Sequence, residues 1–216
     1  MDLPDGETEA TSPIIDNRKL RREERMGEMT RESGDLIWKI EESRLTYSYP
    51  LQVGRNISEE GIIIAEGIPT DQLYYVGPFL AAKRPQTHTG PSLCAIDFLV
   101  PDGTVVLSGQ NGKIVEVQED FDRWGVAPEF GRYLNSLTIQ HENDEFSQYC
   151  HIARLSVTKH GLRTGDWVKT GQAIAVVGKT GRTDRDHLHF VVFRTDKRAQ
   201  NPNRIKSLQV RFASTE

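Results

Sequence analysis

Two stretches of this chain spell nearly the same thing. The segment "DGTVVLSGQNGKIVEV" is echoed by "TGDWVKTGQAIAVVG". Aligning Gly103 with Gly165 also pairs Val106 with Val168, Ser108 with Thr170, Gly109 with Gly171 and Gln110 with Gln172. Each copy reads as a strand, a tight Ser/Thr-Gly-Gln turn and a second strand. Glycine in such a turn permits a positive φ or close backbone approach. An internal echo of this kind calls for a duplicated unit.

The sequence around the echo agrees. From His88 onward the candidate strands are "CAIDFLV", "TVVLSG", "GKIVEVQ", "SLTIQH", "SQYCHI", "DWVKTG", "AIAVVG" and "HLHFVVF", separated by Gly, Pro and Asn-Asp turns. Helical periodicity is largely absent there. Many short strands at this spacing argue for a compact barrel or sandwich. The expected fold is therefore mainly β, a barrel-sandwich-like core with an N-terminal extension. Residues 1–35 read as a tail in which "RKLRREERMGEMTRE" could form a solvated helix. Its mixed arginines and glutamates suit a solvated face or a partner contact rather than a nucleic-acid arm. Residues 36–85 read as a lead-in of strands and loops, through "GIIIAEGI" and "LYYVGPFL". Residues 86–216 form the main domain.

Bulk properties exclude some classes. A 216-residue chain with 37% hydrophobic residues supports an ordinary core, and a formal charge of -4 offers no basic field for nucleic acid. No apolar run is long enough to cross a bilayer. The opening "MDLPDGETEATSPIID" is acidic and polar, unlike a signal peptide. Cys94 and Cys150 form no CxxC pair and read as two small buried thiols, with a disulfide between them left open.

Chemistry concentrates on histidines. In "DHLHF", alternation along a strand points His187 and His189 to one face and Leu188 to the other. Two same-facing imidazoles suit a shared metal, or one ligand beside one acid/base group. Asp97 lies inside the apolar "CAIDFLV", where a carboxylate is costly unless paired or metal-bound. His88 occupies the loop "QTHTGPS", and His151 follows Tyr149 in "QYCHI", with both placed on one face by alternation. His88, Asp97 and one histidine of the pair would supply two imidazoles and a carboxylate for zinc, with a position left open for catalysis. The other histidine and His151 would then stand beside the reacting water.

These motifs, in this order, resemble the LytM/lysostaphin family of zinc endopeptidases, which cleave peptidoglycan peptides. The family pattern of a histidine followed by D-F/I-x-x-P-x-G-T-x-V is matched by His88 and "DFLVPDGTVV". An aromatic, one residue and a histidine are matched by Tyr149-Cys150-His151, and H-L-H-F after a Gly-rich turn by "GKTGRTDRDHLHF". The stretch "GDWVKTGQAIAVVGKTG" fits the family's G-x-x-V-x-x-G-Q-x-I-x-x-x-G-x-T-G. The resemblance covers residues from about 86 to 212. It implies a duplicated hybrid β motif, with Zn2+ held by His88, Asp97 and His189. It implies His151 and His187 as the histidines acting on the water and the transition state. It also implies peptidoglycan peptides as partners, small or D-configured residues at the cleaved bond, and an extracytoplasmic location. One departure stands out: eight residues, Thr89 to Ile96, separate His88 from Asp97, where the common family spacing is three. His88 reaches the metal only if this interval loops back.

Other functions are weaker fits. A non-catalytic relative acting as a binding or activator protein in cell-wall remodelling usually lacks one of the five site residue types, and all five are present here. A biotinyl or lipoyl carrier needs a modifiable lysine at a hairpin tip, which is missing. A sugar-transport phosphocarrier would leave Asp97 unexplained. His141 and Tyr149 are candidates for contacts around the site, although packing suits both, and His160 reads as an exposed turn residue.

Overall fold

The computed structural model describes residues 40–54, 56–84, 86–196 and 204–214, together with the backbone of 29–32 and 35–38. In chain order the strands are β1 (Met29–Glu32), β2 (Asp35–Trp38), β3 (Glu42–Tyr47), β4 (Leu73–Val76), β5 (Phe79–Ala82), β6 (Ile96–Phe98), β7 (Val105–Leu107), β8 (Gly112–Gln118), β9 (Trp124–Gly125), β10 (Ser136–Gln140), β11 (Glu145–Cys150), β12 (Trp167–Val168), β13 (Ala173–Val176), β14 (Gly181–Arg182), β15 (Leu188–Thr195) and β16 (Ile205–Phe212). Among the described residues two helices interrupt them, α1 (Ile57–Ile64) and α2 (Ser156–Lys159). The fold is mainly β. Each strand expected after His88 forms: β8 with its expected bounds, β11 beginning two residues earlier, β15 running two residues further, and the others shorter than expected.

The repeat explains the centre of the fold. The first copy supplies β7 and β8, the second β12 and β13. The copies interlock: β13 pairs with β7 and β12 pairs with β8, each antiparallel. Their turns also meet, with Gly171 N donating to Ser108 O at 2.8 Å and Ser108 N to Gln172 O at 2.9 Å. The two equivalent glycines serve different needs. Gly171 adopts φ +77, a region costly for other residues. Gly109 instead lets the turn approach Tyr47, whose ring would lie 3.2 Å from an added Cβ.

A 10-stranded sheet runs β12-β8-β10-β11-β15-β6-β5-β4, with β16 on β15 and β3 on β16. The β3–β16 pair is parallel, and the other ladders of this sheet are antiparallel. Alternation along β15 sorts its side chains. Leu188, Phe190 and Val192 enter the main core with Tyr47, Phe79, Phe98 and Tyr149. On the opposite face Val191 and Phe193 make a smaller cluster with Ala95. His189 belongs to that opposite face.

Two expectations need correction. "GIIIAEGI" is not a strand: its first half closes α1, and a turn follows. The β-branched run suggests a strand, but Ile57 and Gly61 fall four apart on one buried helical face, and Glu59 and Glu60 suit the first turn. Gly61 is the fitting contact, since an added Cβ would stand 3.0 Å from Leu99 O and 3.2 Å from Leu80 Cβ. In the charged segment expected as a helix, Met29–Glu32 instead pairs as a strand with Asp35–Trp38. The rest of that segment, and the tail before it, lie outside the described residues.

Candidate active site

Strand register brings the first residues together. Asp97 on β6 stands directly opposite His189 on β15, and Cys150 on β11 faces His189 from the other side. Opposed residues share a face of the sheet. His187 sits one residue before β15 and reaches the same carboxylate. His189 Nδ1 lies 2.8 Å from Asp97 Oδ1, and His187 Nε2 lies 3.8 Å from Asp97 Oδ2. Leu188 between them is fully buried in the core. The spacing of "HLH" thus anchors one face while both imidazoles meet Asp97 on the other.

The long interval after His88 folds back on itself. Arg84 O accepts the amides of Thr87 at 2.9 Å and His88 at 2.7 Å, closing a turn. A 3-10 turn over Gly90–Ser92 follows, and Cys94 N is held by Ser207 Oγ of β16 at 3.2 Å. His88 Nε2 ends 3.1 Å from Asp97 Oδ1. The candidate donor atoms of His88, Asp97 and His189 all lie within 4.8 Å of one another. Two imidazoles and a carboxylate at this separation fit a zinc ion with room for a fourth ligand.

His151 arrives by a different route. It follows β11 with φ +63, a left-handed conformation unusual for a non-glycine residue. That twist breaks the alternation with Tyr149. Tyr149 points into the main core, and His151 turns toward the site, its ring centroid 4.5 Å from that of His187. His151 N donates to Asn135 O at 3.0 Å, and His151 Nδ1 lies 2.6 Å from Thr180 O. Asn135 is fully buried, and its side-chain amide donates to Phe121 O and Ile152 O. Asn135 and Thr180 escape a motif search because their work is done through main-chain groups.

Both outer histidines are fixed by carbonyls. A carbonyl can only accept, so His151 and His187 each carry the proton on Nδ1 and leave Nε2 as an acceptor. For His187 the acceptor is Arg185 O at 3.0 Å. Burial, followed by the nearby His187, depresses the His151 imidazole to about 3. Burial also lowers His187, although Asp97 pulls in the opposite direction. Burial alone would raise the Asp97 carboxyl. The imidazoles of His187, His189 and His88 outweigh it and hold Asp97 well below the usual carboxylate range. The site therefore pairs an ionised carboxylate with two neutral, oriented bases.

The remaining candidates lie elsewhere. His141 Nε2 meets Ser147 Oγ at 2.7 Å, and Ser147 Oγ donates to Tyr149 Oη at 3.1 Å. This buried network ends on Gly109 N, which donates to Tyr149 Oη at 2.9 Å. Among the described residues neither His141 nor Tyr149 hydrogen-bonds to the five site residues; both belong to this separate buried network. His160 is half-buried, not exposed, and its Nδ1 caps Ser156 O of α2 at 2.7 Å. Cys94 and Cys150 are both free thiols.

The family model for Peptidase family M23 matches residues 92–202. The chain belongs to peptidase family M23. Among curated M23 relatives, the peptidoglycan DD-endopeptidase ShyB of Vibrio cholerae serotype O1 is 36% identical over 110 residues, 51% of this chain and 22% of that protein. The DD-carboxypeptidase/endopeptidase Mpg of Neisseria meningitidis serogroup B is 29% identical over 63% of this chain and 28% of that protein. Lysostaphin of Staphylococcus simulans is 30% identical over 54% of this chain and 20% of its own length. The chain thus spans between 20% and 28% of these relatives. A solved zinc-containing peptidase from Vibrio cholerae is 30% identical over 59% of this chain and 32% of that one, with a TM-score of 0.40. His88 precedes the matched M23 region, so its place in the site rests on the loop geometry above.

Proposed function

We propose that this M23 chain is a zinc-dependent endopeptidase that hydrolyses peptide bonds in peptidoglycan stem or cross-bridge peptides. The observation that carries the reading is the donor cluster of His88, Asp97 and His189, within 4.8 Å, flanked by His187 and His151. His88, Asp97 and His189 would hold the metal. Zinc in that position would supply Lewis acidity for a water and for a peptide carbonyl. The chain's own residues supply the rest. Asp97 brings one negative charge to two neutral imidazoles, which keeps the site's net charge positive once zinc is held. His187, locked through Nδ1, presents an unprotonated Nε2 that accepts the water proton. His151, locked in the same way, stands across from it beside the developing transition state, and the proton that His187 takes from the water is the one passed on to the leaving amine.

The substrate class is supported by the relative ShyB, named as a peptidoglycan DD-endopeptidase. The proposed place of action follows from it, outside the cytoplasmic membrane. No helix among the described residues is long and apolar enough to cross a membrane.

The test is zinc content per untagged chain, followed by digestion of purified peptidoglycan sacculi. Wild type should bind about one zinc, and His189→Ala should lose it. His187→Ala should keep zinc and lose at least about a hundredfold in peptide release, as removal of a general base does. A wild type that holds zinc yet releases no fragments would instead favour the binding or activator reading.

A further inference from the structure

A chain of alternating charges runs from helix α1 to Asp97. Arg185 Nη1 donates to Ile64 O and Glu66 O, each at 3.1 Å, where the helix end leaves carbonyls without intrahelical partners. Arg185 Nε and Nη2 hold Asp184 Oδ2 at 3.2 and 2.9 Å. Arg84 grips the same carboxylate, Nη2 to Oδ1 at 3.0 Å and Nη1 to Oδ2 at 3.5 Å. Arg84 Nε is buried without a hydrogen-bond partner and lies 3.7 Å from Asp97 Oδ2.

Each arginine also touches the site through its main chain. Arg84 O accepts His88 N at 2.7 Å, and Arg185 O accepts His187 Nδ1 at 3.0 Å. Asp184 is therefore the pin between the turn that carries His88 and the loop that carries His187. The two oxygens of Asp97 are divided. Oδ1 faces His88 and His189, and Oδ2 faces Arg84 and His187.

We propose that Arg84, Asp184 and Arg185 are positioning residues that pre-set the metal site, with Asp184 locking both arginines and Arg84 keeping Asp97 Oδ2 turned away so that Oδ1 alone faces the ligand cluster. This rests on the metal site proposed above. The chemistry favours arginine specifically. A planar fork can serve Asp184 and Asp97 at once, and a lysine ammonium cannot. The Asp184 side chain is 37% exposed, so its pairs contribute little to folding. Groups that orient metal ligands, by contrast, typically govern metal affinity or activity by 10–100-fold. That asymmetry separates positioning from a surface ion pair.

The experiment measures zinc affinity by competition with a chromophoric chelator for wild type, Asp184→Asn, Arg84→Lys and the double variant, with the melting temperature of each metal-free protein. Positioning predicts that each single variant loses about tenfold or more in zinc affinity. It also predicts melting within about 3 °C of wild type, and a double variant no worse than the weaker single one, because both act through one chain. Asp184→Asn, at a partly exposed position, keeps the test informative even if Arg84→Lys folds poorly. Wild-type affinity in both single variants, with or without a melting shift, overturns the proposal. If wild type itself binds no zinc, the metal-site reading fails and carries this inference with it. The wild-type arm therefore tells the two failures apart.

Discussion

Cys150 is a thiol opposite a candidate metal ligand, which makes its reactivity a question for the site. Its environment keeps it inert. It is 3% exposed, and burial, followed by the charges of Asp97 and Glu116, pushes it up to about 12. The thiolate is the nucleophile, so at pH 8 only about one molecule in ten thousand would be reactive. The prediction is that native protein treated with iodoacetamide at pH 8 leaves Cys150 unmodified, while both cysteines are alkylated once the chain is unfolded. Mass analysis of the digested protein checks it, and rapid native labelling of Cys150 would show an open site edge instead. Residues of this kind were readable in part. His88, Asp97, His187 and His189 could be singled out because metal-binding and acid/base side chains in a β context have few other uses, and the structure brings all four together. Arg84 and Asp184 carry no such signal. A surface Arg–Asp pair is common, and only the fold shows that this one leads to Asp97. The φ of His151 was equally invisible, because strand alternation assumes the strand continues.

At the scale of elements, β3 is held by a side chain as much as by its ladder. Glu145, fully buried at the start of β11, accepts Arg44 N at 2.5 Å, Leu45 N at 3.2 Å and Tyr47 Oη at 3.3 Å. Among the described residues β3 pairs in the sheet with β16 alone. The carboxylate stands in for the missing neighbour. Glu145→Ala should therefore leave part-buried donors unsatisfied and destabilise the protein by about 2 kcal/mol, whereas Glu145→Gln, keeping one acceptor oxygen, should cost less. Urea unfolding of the metal-free protein measures both, and equal stability of Glu145→Ala and wild type would refute the account. The strands of the repeat were legible because their Gly-bounded, β-branched pattern agrees with their final environment. Helix α1 was not, because its isoleucines are strand-like locally. Ile62 and Ile63 remain 57% and 73% exposed, so the burial that normally marks a helical face falls on Ile57 and Gly61.

For the whole molecule, the family match and the folding unit do not coincide. The match begins at residue 92, yet the sheet draws on earlier chain: β5 pairs with β6, and β3 pairs with β16. Tyr47, Leu51, Ile57 and Phe79, all 5% exposed or less, fill the same core as Phe98 and Phe190. Burying a side chain of this size stabilises by roughly 1.5–3 kcal/mol, so losing four would remove an amount comparable to the whole stability of a typical domain, about 5–15 kcal/mol. Helix α1 adds the anchor for Arg185, and Arg84 closes the turn before His88. A fragment of residues 86–216 should therefore fail to unfold cooperatively and should bind no zinc stoichiometrically, even though it contains all five site residues. Circular dichroism melting and zinc titration of that fragment beside the full chain provide the check. A fragment that melts cooperatively and binds one zinc would mean that the lead-in is an independent addition, and that the charged chain from α1 to Asp97 is dispensable. The sequence pattern of residues 36–85 announced strands without their partners. For β3 that partner is β16, more than a hundred residues away, where local pattern has no reach, and only the folded sheet joins these two distant segments beside one site.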